Sequence, residues 1–148
     1  MAWFNPYGFI FMVLIMIPNI VFAIKCKTGF ENTYHNNKAQ ISEQIGRYGC
    51  FVTMIFNIPF TSFGFSSDEA LAIYLIVNTA LTLFYCLIWI IFFKKRCVFR
   101  ALSLSIIPSV IFLFSGILSR SVLLIISAII FAPSHILISY KNVVMKSE

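Results

Sequence analysis

Carboxylates are scarce in this chain: Asp and Glu number five in 148 residues, and charged residues of either sign make up 11%. A water-soluble domain is about one quarter charged, and here 60% of the residues are hydrophobic. A separate soluble domain is therefore excluded, and the chain reads as an all-α integral membrane protein. The five acids, Glu31, Glu43, Asp68, Glu69 and Glu148, are expected in loops or the tail. A proton-coupled exporter of cationic compounds needs a carboxylate within the membrane, so that class loses its support. Cys26, Cys50, Cys86 and Cys97 form no CxxC pair, which leaves no zinc signature and points to isolated, reduced thiols. No GxSG-like nucleophile, HExxH or glycine-rich phosphate loop occurs, so no catalytic residue, metal ligand or cofactor is assigned.

The apolar residues fall into runs of membrane-crossing length, about 20 residues each. Five can be marked off, at about 7–24, 49–65, 70–93, 101–118 and 121–140. The first has no Lys or Arg before it and no small-x-small cleavage site after it, and is read as a retained helix. The simplest architecture is a single domain, a bundle of five transmembrane helices. Lys25, Lys27, Lys38, Arg47, Lys94, Lys95, Arg96, Arg100, Lys141 and Lys146 fall on one side of that arrangement, with Arg120 alone among the basic residues on the other. The positive-inside rule then sets the N-terminus outside and the C-terminus in the cytoplasm. The net charge of +6 is what loops beside anionic lipid carry, and nucleic acid is not expected as a partner.

One connection is long, KCKTGFENTYHNNKAQISEQIGR. Within it Ile41, Ile45 and Tyr48 recur at helical spacing opposite Gln40, Glu43, Gln44 and Arg47, which predicts a short interfacial helix before the second span. His35 is read as solvated. On the outer side Ser66, Ser67, Asp68 and Glu69 have the form of a capping box that starts the third helix, and Ser119, Arg120 and Ser121 form the last turn.

Each span carries one polar stripe at helical spacing. The stripes are Gly8, Met12, Asn19, Ala23 and Cys26; Cys50, Thr53, Asn57, Thr61 and Gly64; Asn78, Thr82, Tyr85 and Trp89; Ala101, Ser105, Ser109 and Gly116; and Ser121, Ala128, Ala132, His135 and Ser139. Polar side chains are costly in hydrocarbon, so the stripes should face the bundle interior. At about 1.5 Å per residue, Asn19 and His135 lie roughly 9 Å in from the nearest cytoplasmic basic residue, Ser105 roughly 8 Å, Tyr85 roughly 14 Å and Asn57 roughly 15 Å, with Asn78 deeper. Pro18, Pro59, Pro108 and Pro133 each sit in a span close to a stripe residue, where they free backbone carbonyls and bend the helix.

Asn19, Asn57, Asn78, Tyr85, Ser105 and His135 are the candidate ligand-binding residues, lining a polar pocket open to the cytoplasm. His135 has two readings: an interior group bonded to Asn19 or a serine, or a group that contacts a ligand or changes protonation. A Ser105–His135 pair is geometrically possible, but no acidic partner is in view to orient the imidazole.

The stretches MIPNIVFAIKC (16–26) and EQIGRYGCF (43–51) resemble those of small polytopic membrane proteins of unassigned function from low-GC Gram-positive bacteria. That resemblance implies a bacterial cytoplasmic membrane and carries no activity. The leading functional expectation is binding, with transport as its extension, of a small or amphipathic molecule. The alternatives are an accessory or immunity-type subunit docked on another membrane protein, and a lipid-modifying enzyme with His135 as base. Membrane lipid is the expected surrounding, and the chain's size makes a homodimer a further expectation.

Overall fold

The computed structural model describes residues 3–26, 32–95 and 97–145. Among these, five α-helices follow one another: α1 Pro6–Lys25, α2 Asn37–Ile55, α3 Asp68–Ile91, α4 Val98–Leu118 and α5 Val122–Met145. They close a ring in the order α1, α2, α5, α4, α3, with α3 returning to α1 and α2 also touching α4 across the middle. Lys27, Glu31, Arg96, Lys146 and Glu148 lie outside the described residues.

Four helices, α1, α3, α4 and α5, are long and apolar enough to cross a membrane. Local chemistry sets their ends. Asn5 caps α1 by accepting from Gly8 N (3.2 Å), with Pro6 pre-set at the first helical position. Ser67 caps α3 through Ala70 N (3.1 Å), with Asp68 and Glu69 complementing the dipole in its first turn. At the α4–α5 turn, Arg120 adopts φ 52° while its N–H reaches Ile117 O and that of Ser121 reaches Gly116 O. That is a Schellman closure, with arginine where glycine is usual.

The second span differs from expectation. Helix α2 starts at Asn37, capped by the Asn36 side chain on Ala39 N (3.2 Å), so the expected interfacial helix and the start of the expected span are one element. It ends at Ile55, well before Phe65. Pro59 lacks a donor and disfavours helix for Ile58 before it, and the chain there pairs elsewhere. Asn5 N donates to Ile55 O (2.7 Å), Asn57 N to Trp3 O (2.8 Å) and Val122 N to Thr61 O (2.8 Å). Asn57, Thr61 and Gly64 therefore lie on irregular chain at one end of the bundle. Pro18, Pro108 and Pro133, in contrast, are inside helices.

The α2–α5 seam is tight because α2 offers glycine where α5 comes close. A Cβ added at Gly46 would stand 2.6 Å from Phe131 N, and one at Gly49 would stand 2.5 Å from Ser127 Oγ. Small residues permit such approach between membrane helices. Gly46→Ala is expected to cost about 1–3 kcal/mol through overpacking against backbone and to lower the thermal midpoint in detergent. Ile45→Ala, on the outward face (Ile45 is 61% exposed), should leave it nearly unchanged; equal midpoints for the two would contradict a close seam.

Candidate functional site

Two polar centres lie inside the ring. The first straddles the α2–α5 seam, where antiparallel packing sets Glu43 opposite His135 and Ser42 opposite Ser134. Glu43 is 5% exposed, and its Oε1 lies 3.0 Å from His135 Nδ1. The same oxygen accepts from Arg47 Nε at 2.9 Å and from Arg47 Nη2. An ionised carboxylate can only accept, so Nδ1 is the donor in this contact. Phe131 stacks on the imidazole with centroids 4.5 Å apart, and Ser134 Oγ meets Ser42 Oγ at 3.0 Å. Further along the seam, Asn142 Oδ1 accepts from Thr33 N (3.0 Å) and Tyr34 N (2.9 Å), tying the segment before α2 to the end of α5.

The expectation that all acidic residues sit in loops or the tail is thus corrected at Glu43. The sequence placed Glu43 on the polar side of a short interfacial helix within that loop, and the structure turns that side inward against α5. With a buried carboxylate present, the argument from its absence against proton coupling and against an oriented imidazole loses its premise. His135 bonds neither Asn19 nor a serine in the described contacts, and Ser105 Oγ donates instead to Ala101 O (2.7 Å).

The second centre is a column on one face of α3, turned towards α1 and α4. Tyr74, Asn78, Thr82, Tyr85 and Trp89 are all at most 4% exposed and advance by 4, 4, 3 and 4 residues. Asn78 Nδ2 donates to Ser115 Oγ of α4 (2.9 Å) and Asn19 Nδ2 of α1 donates to Tyr85 OH (2.8 Å). Tyr74 OH lies beside Ser115 and Asn5, and Tyr85 lies beside Trp89. Yet Tyr74 OH, Asn78 Oδ1, Thr82 Oγ1 and Trp89 Nε1 are buried without a well-formed hydrogen bond. At the far end Arg100, 8% exposed, stacks its guanidinium 4.4 Å from the Phe22 ring and 4.8 Å from the Trp89 ring, and donates to Lys95 O.

Of the six candidate residues, Asn19, Asn78 and Tyr85 meet in this column. Ser105 is buried on α4 but bonded to its own helix, His135 belongs to the seam, and Asn57 accepts from Ser62 Oγ (3.3 Å) in the irregular segment. The six do not converge on one pocket. Tyr74 extends the same periodicity one step before Asn78 and could have been read from sequence; Glu43 and Arg47 shared a helical face there, but nothing marked that face as the inward one. A groove of about 230 Å³ runs between α1 and α3, lined among others by Tyr7, Phe11 and Leu14 and by Leu75, Thr82 and Leu83. Thr82 belongs to both the groove and the column.

Fold and composition together define a multi-pass α-helical membrane protein. Comparison with known protein families, curated proteins and solved structures finds no match for this chain.

A double-mutant cycle on Glu43→Gln and His135→Ala should report a coupling of about 0.6 kcal/mol or more, the average for polar pairs between membrane helices, with about 1.7 kcal/mol as the upper bound. Strict additivity of the two melting shifts would show that the pair does not hold the seam.

Proposed function

We propose that this protein crosses the membrane five times, with its N-terminus outside, and binds an amphipathic small molecule whose apolar part lies in the α1–α3 groove and whose polar group meets Thr82. The observation that carries the reading is that Thr82, whose buried Oγ1 has no partner, is among the residues that line that groove. An unpaired buried polar atom calls for an explanation, and a ligand hydroxyl or carbonyl supplies one. Ile10, Leu14 and Leu83 are exposed along the groove, which favours entry from lipid over the cytoplasmic entry expected from sequence. Asn78, Tyr85 and Asn19 set the polar wall behind it.

The fifth crossing is α2. Averaged along its length it is too polar to qualify, but its polar side is turned inward. Glu43, Gly46, Cys50 and Thr53 are buried, while Ile41, Ile45, Tyr48 and Val52 are exposed. That is the arrangement lipid requires. The described ends support the orientation: Lys25, Lys94, Lys95, Arg100 and Lys141 gather at one, and Arg120, Asp68 and Glu69 at the other. The location proposed is the bacterial cytoplasmic membrane, on the likeness of the first third noted above.

The inward direction of the stripes weighs against the docking reading, in which they would face a partner. A lipid-modifying enzyme gains one support, the carboxylate of Glu43 on His135. Phospholipid turnover that survives His135→Ala would dispose of it.

The binding reading is tested by native mass spectrometry on gently extracted protein. A small molecule retained by the native chain and lost from Thr82→Val, at unchanged folded yield, is the expected result; retention unchanged in the variant overturns the site. For the topology, a membrane-impermeant thiol reagent on intact cells should label Ser66→Cys in a cysteine-free background. Thr33→Cys should react only after permeabilisation, and the reverse pattern would overturn the orientation.

A further inference from the structure

We infer that the α3 column holds internal water at two positions, one at each end, and that these waters belong to the apo fold independently of any ligand in the groove. The first position lies among Tyr74 OH, Asn78 Oδ1, Ser115 and Asn5. Two of these atoms, Tyr74 OH and Asn78 Oδ1, lack a well-formed bond, while Ser115 and Asn5 stand beside the phenol. The second lies by Trp89 Nε1, an indole donor that can only give a hydrogen bond and that has no acceptor in good geometry. Tyr85 OH, already accepting from Asn19, stands next to it.

Leaving one such group unsatisfied costs about 1–3 kcal/mol, and native structures leave few. Three on one helix face, Tyr74 OH, Asn78 Oδ1 and Trp89 Nε1, therefore call for partners of their own. Water has both donors and acceptors and typically makes about three bonds to buried polar groups, so it matches sites where a phenol, an amide oxygen and a serine hydroxyl converge. Apolar ligands do not. Thr82, between the two positions, opens on the apolar groove instead, so its missing partner is left to the ligand. Arg100, set over the adjoining Phe22 and Trp89 rings, lies beside the second position at the basic end of the bundle.

The test is radiolytic hydroxyl-radical footprinting of the full chain in nanodiscs, since radicals generated from a bound water mark the side chain that holds it. Tyr74 and Trp89 are compared, after correction for intrinsic reactivity, with Phe112, which is equally buried at 1% exposed but packs on the rings of Phe51 and Phe131. Labelling of Tyr74 and Trp89 several-fold above Phe112 is the expected result. Labelling at the level of Phe112 at both sites overturns the inference. A second measurement needs no labelling: Tyr74→Phe should lower the thermal midpoint if the hydroxyl holds a water that also serves Asn78, and raise it if the hydroxyl is unpaired. Loss of a ligand signal in mass spectrometry would leave both readouts untouched, so failure of the water sites and failure of the groove are told apart.

Discussion

Hydrocarbon offers no hydrogen-bond partner, so every polar group carried into this bundle must be met from within it. The α2–α5 seam answers that demand for Glu43 and Arg47. Gly46 and Gly49 let the two backbones approach, and the antiparallel register that follows sets Glu43 against His135 and Ser42 against Ser134. The same demand governs the irregular chain from Phe56 to Ser67. Its backbone does not hang free at the bundle end but pairs with residues 3–5 and with the α4–α5 turn, in the isolated bridges Phe4–Phe56 and Ser62–Ser121. Those pairings hold the ends of α1, α2, α4 and α5 together.

The neutral groups are met in a different way on different helices. On α4 the serines look after themselves: Ser105 donates to Ala101 O, Ser109 to Ser105 O and Ser119 to Ser115 O, all at 2.7 Å. Short hydroxyl side chains can fold back on their own helix in this manner. The side chains of α3 are longer. Tyr74, Tyr85 and Trp89 carry their polar atoms away from the α3 backbone, towards α1 and α4, and Asn78 has an amide oxygen left over after its nitrogen bonds Ser115. Among the described residues, the buried side-chain atoms left without a partner therefore collect on α3 rather than on the α4 stripe of Ser105 and Ser109.

Much of this was legible from sequence, for reasons that particular residues make plain. Helices α1, α3, α4 and α5 announce themselves by unbroken apolar length, and Ser67 marks the start of α3 by the chemistry of capping. The period of Asn78, Thr82, Tyr85 and Trp89 gave the buried face of α3 correctly. Helix α2 was harder because hydropathy averages over a helix without knowing which way each residue points. Glu43 and Arg47 lower the average, though one is buried and the other is bonded to it, while Ile41, Ile45, Tyr48 and Val52 face out. The apolar stretch after Tyr48 then drew the span too far, to Phe65, across a proline that ends the helix where three others do not. What separates Pro59 is its surroundings: Trp3 and Asn5 capture the backbone of Asn57 and Ile55, giving the chain an alternative to helix that residues near Pro18, Pro108 and Pro133 lack.

The seam also explains how a helix with both an acid and a base can belong to a membrane bundle. An isolated charge in hydrocarbon is costly, but Arg47 and Glu43 are one helical turn apart and share a bond, so together they carry no net charge. Arg47 keeps 42% of its side chain exposed and can extend towards the interface, whereas Glu43 is enclosed and needs the second partner that α5 provides. His135 is that partner, with its Nδ1 on the same carboxylate oxygen that Arg47 holds. The imidazole in the apolar fifth helix and the carboxylate in the polar second helix are thus two halves of one arrangement. Each looks out of place in its own sequence segment, and each is accounted for by the other across the glycine contact that brings them within 3.0 Å.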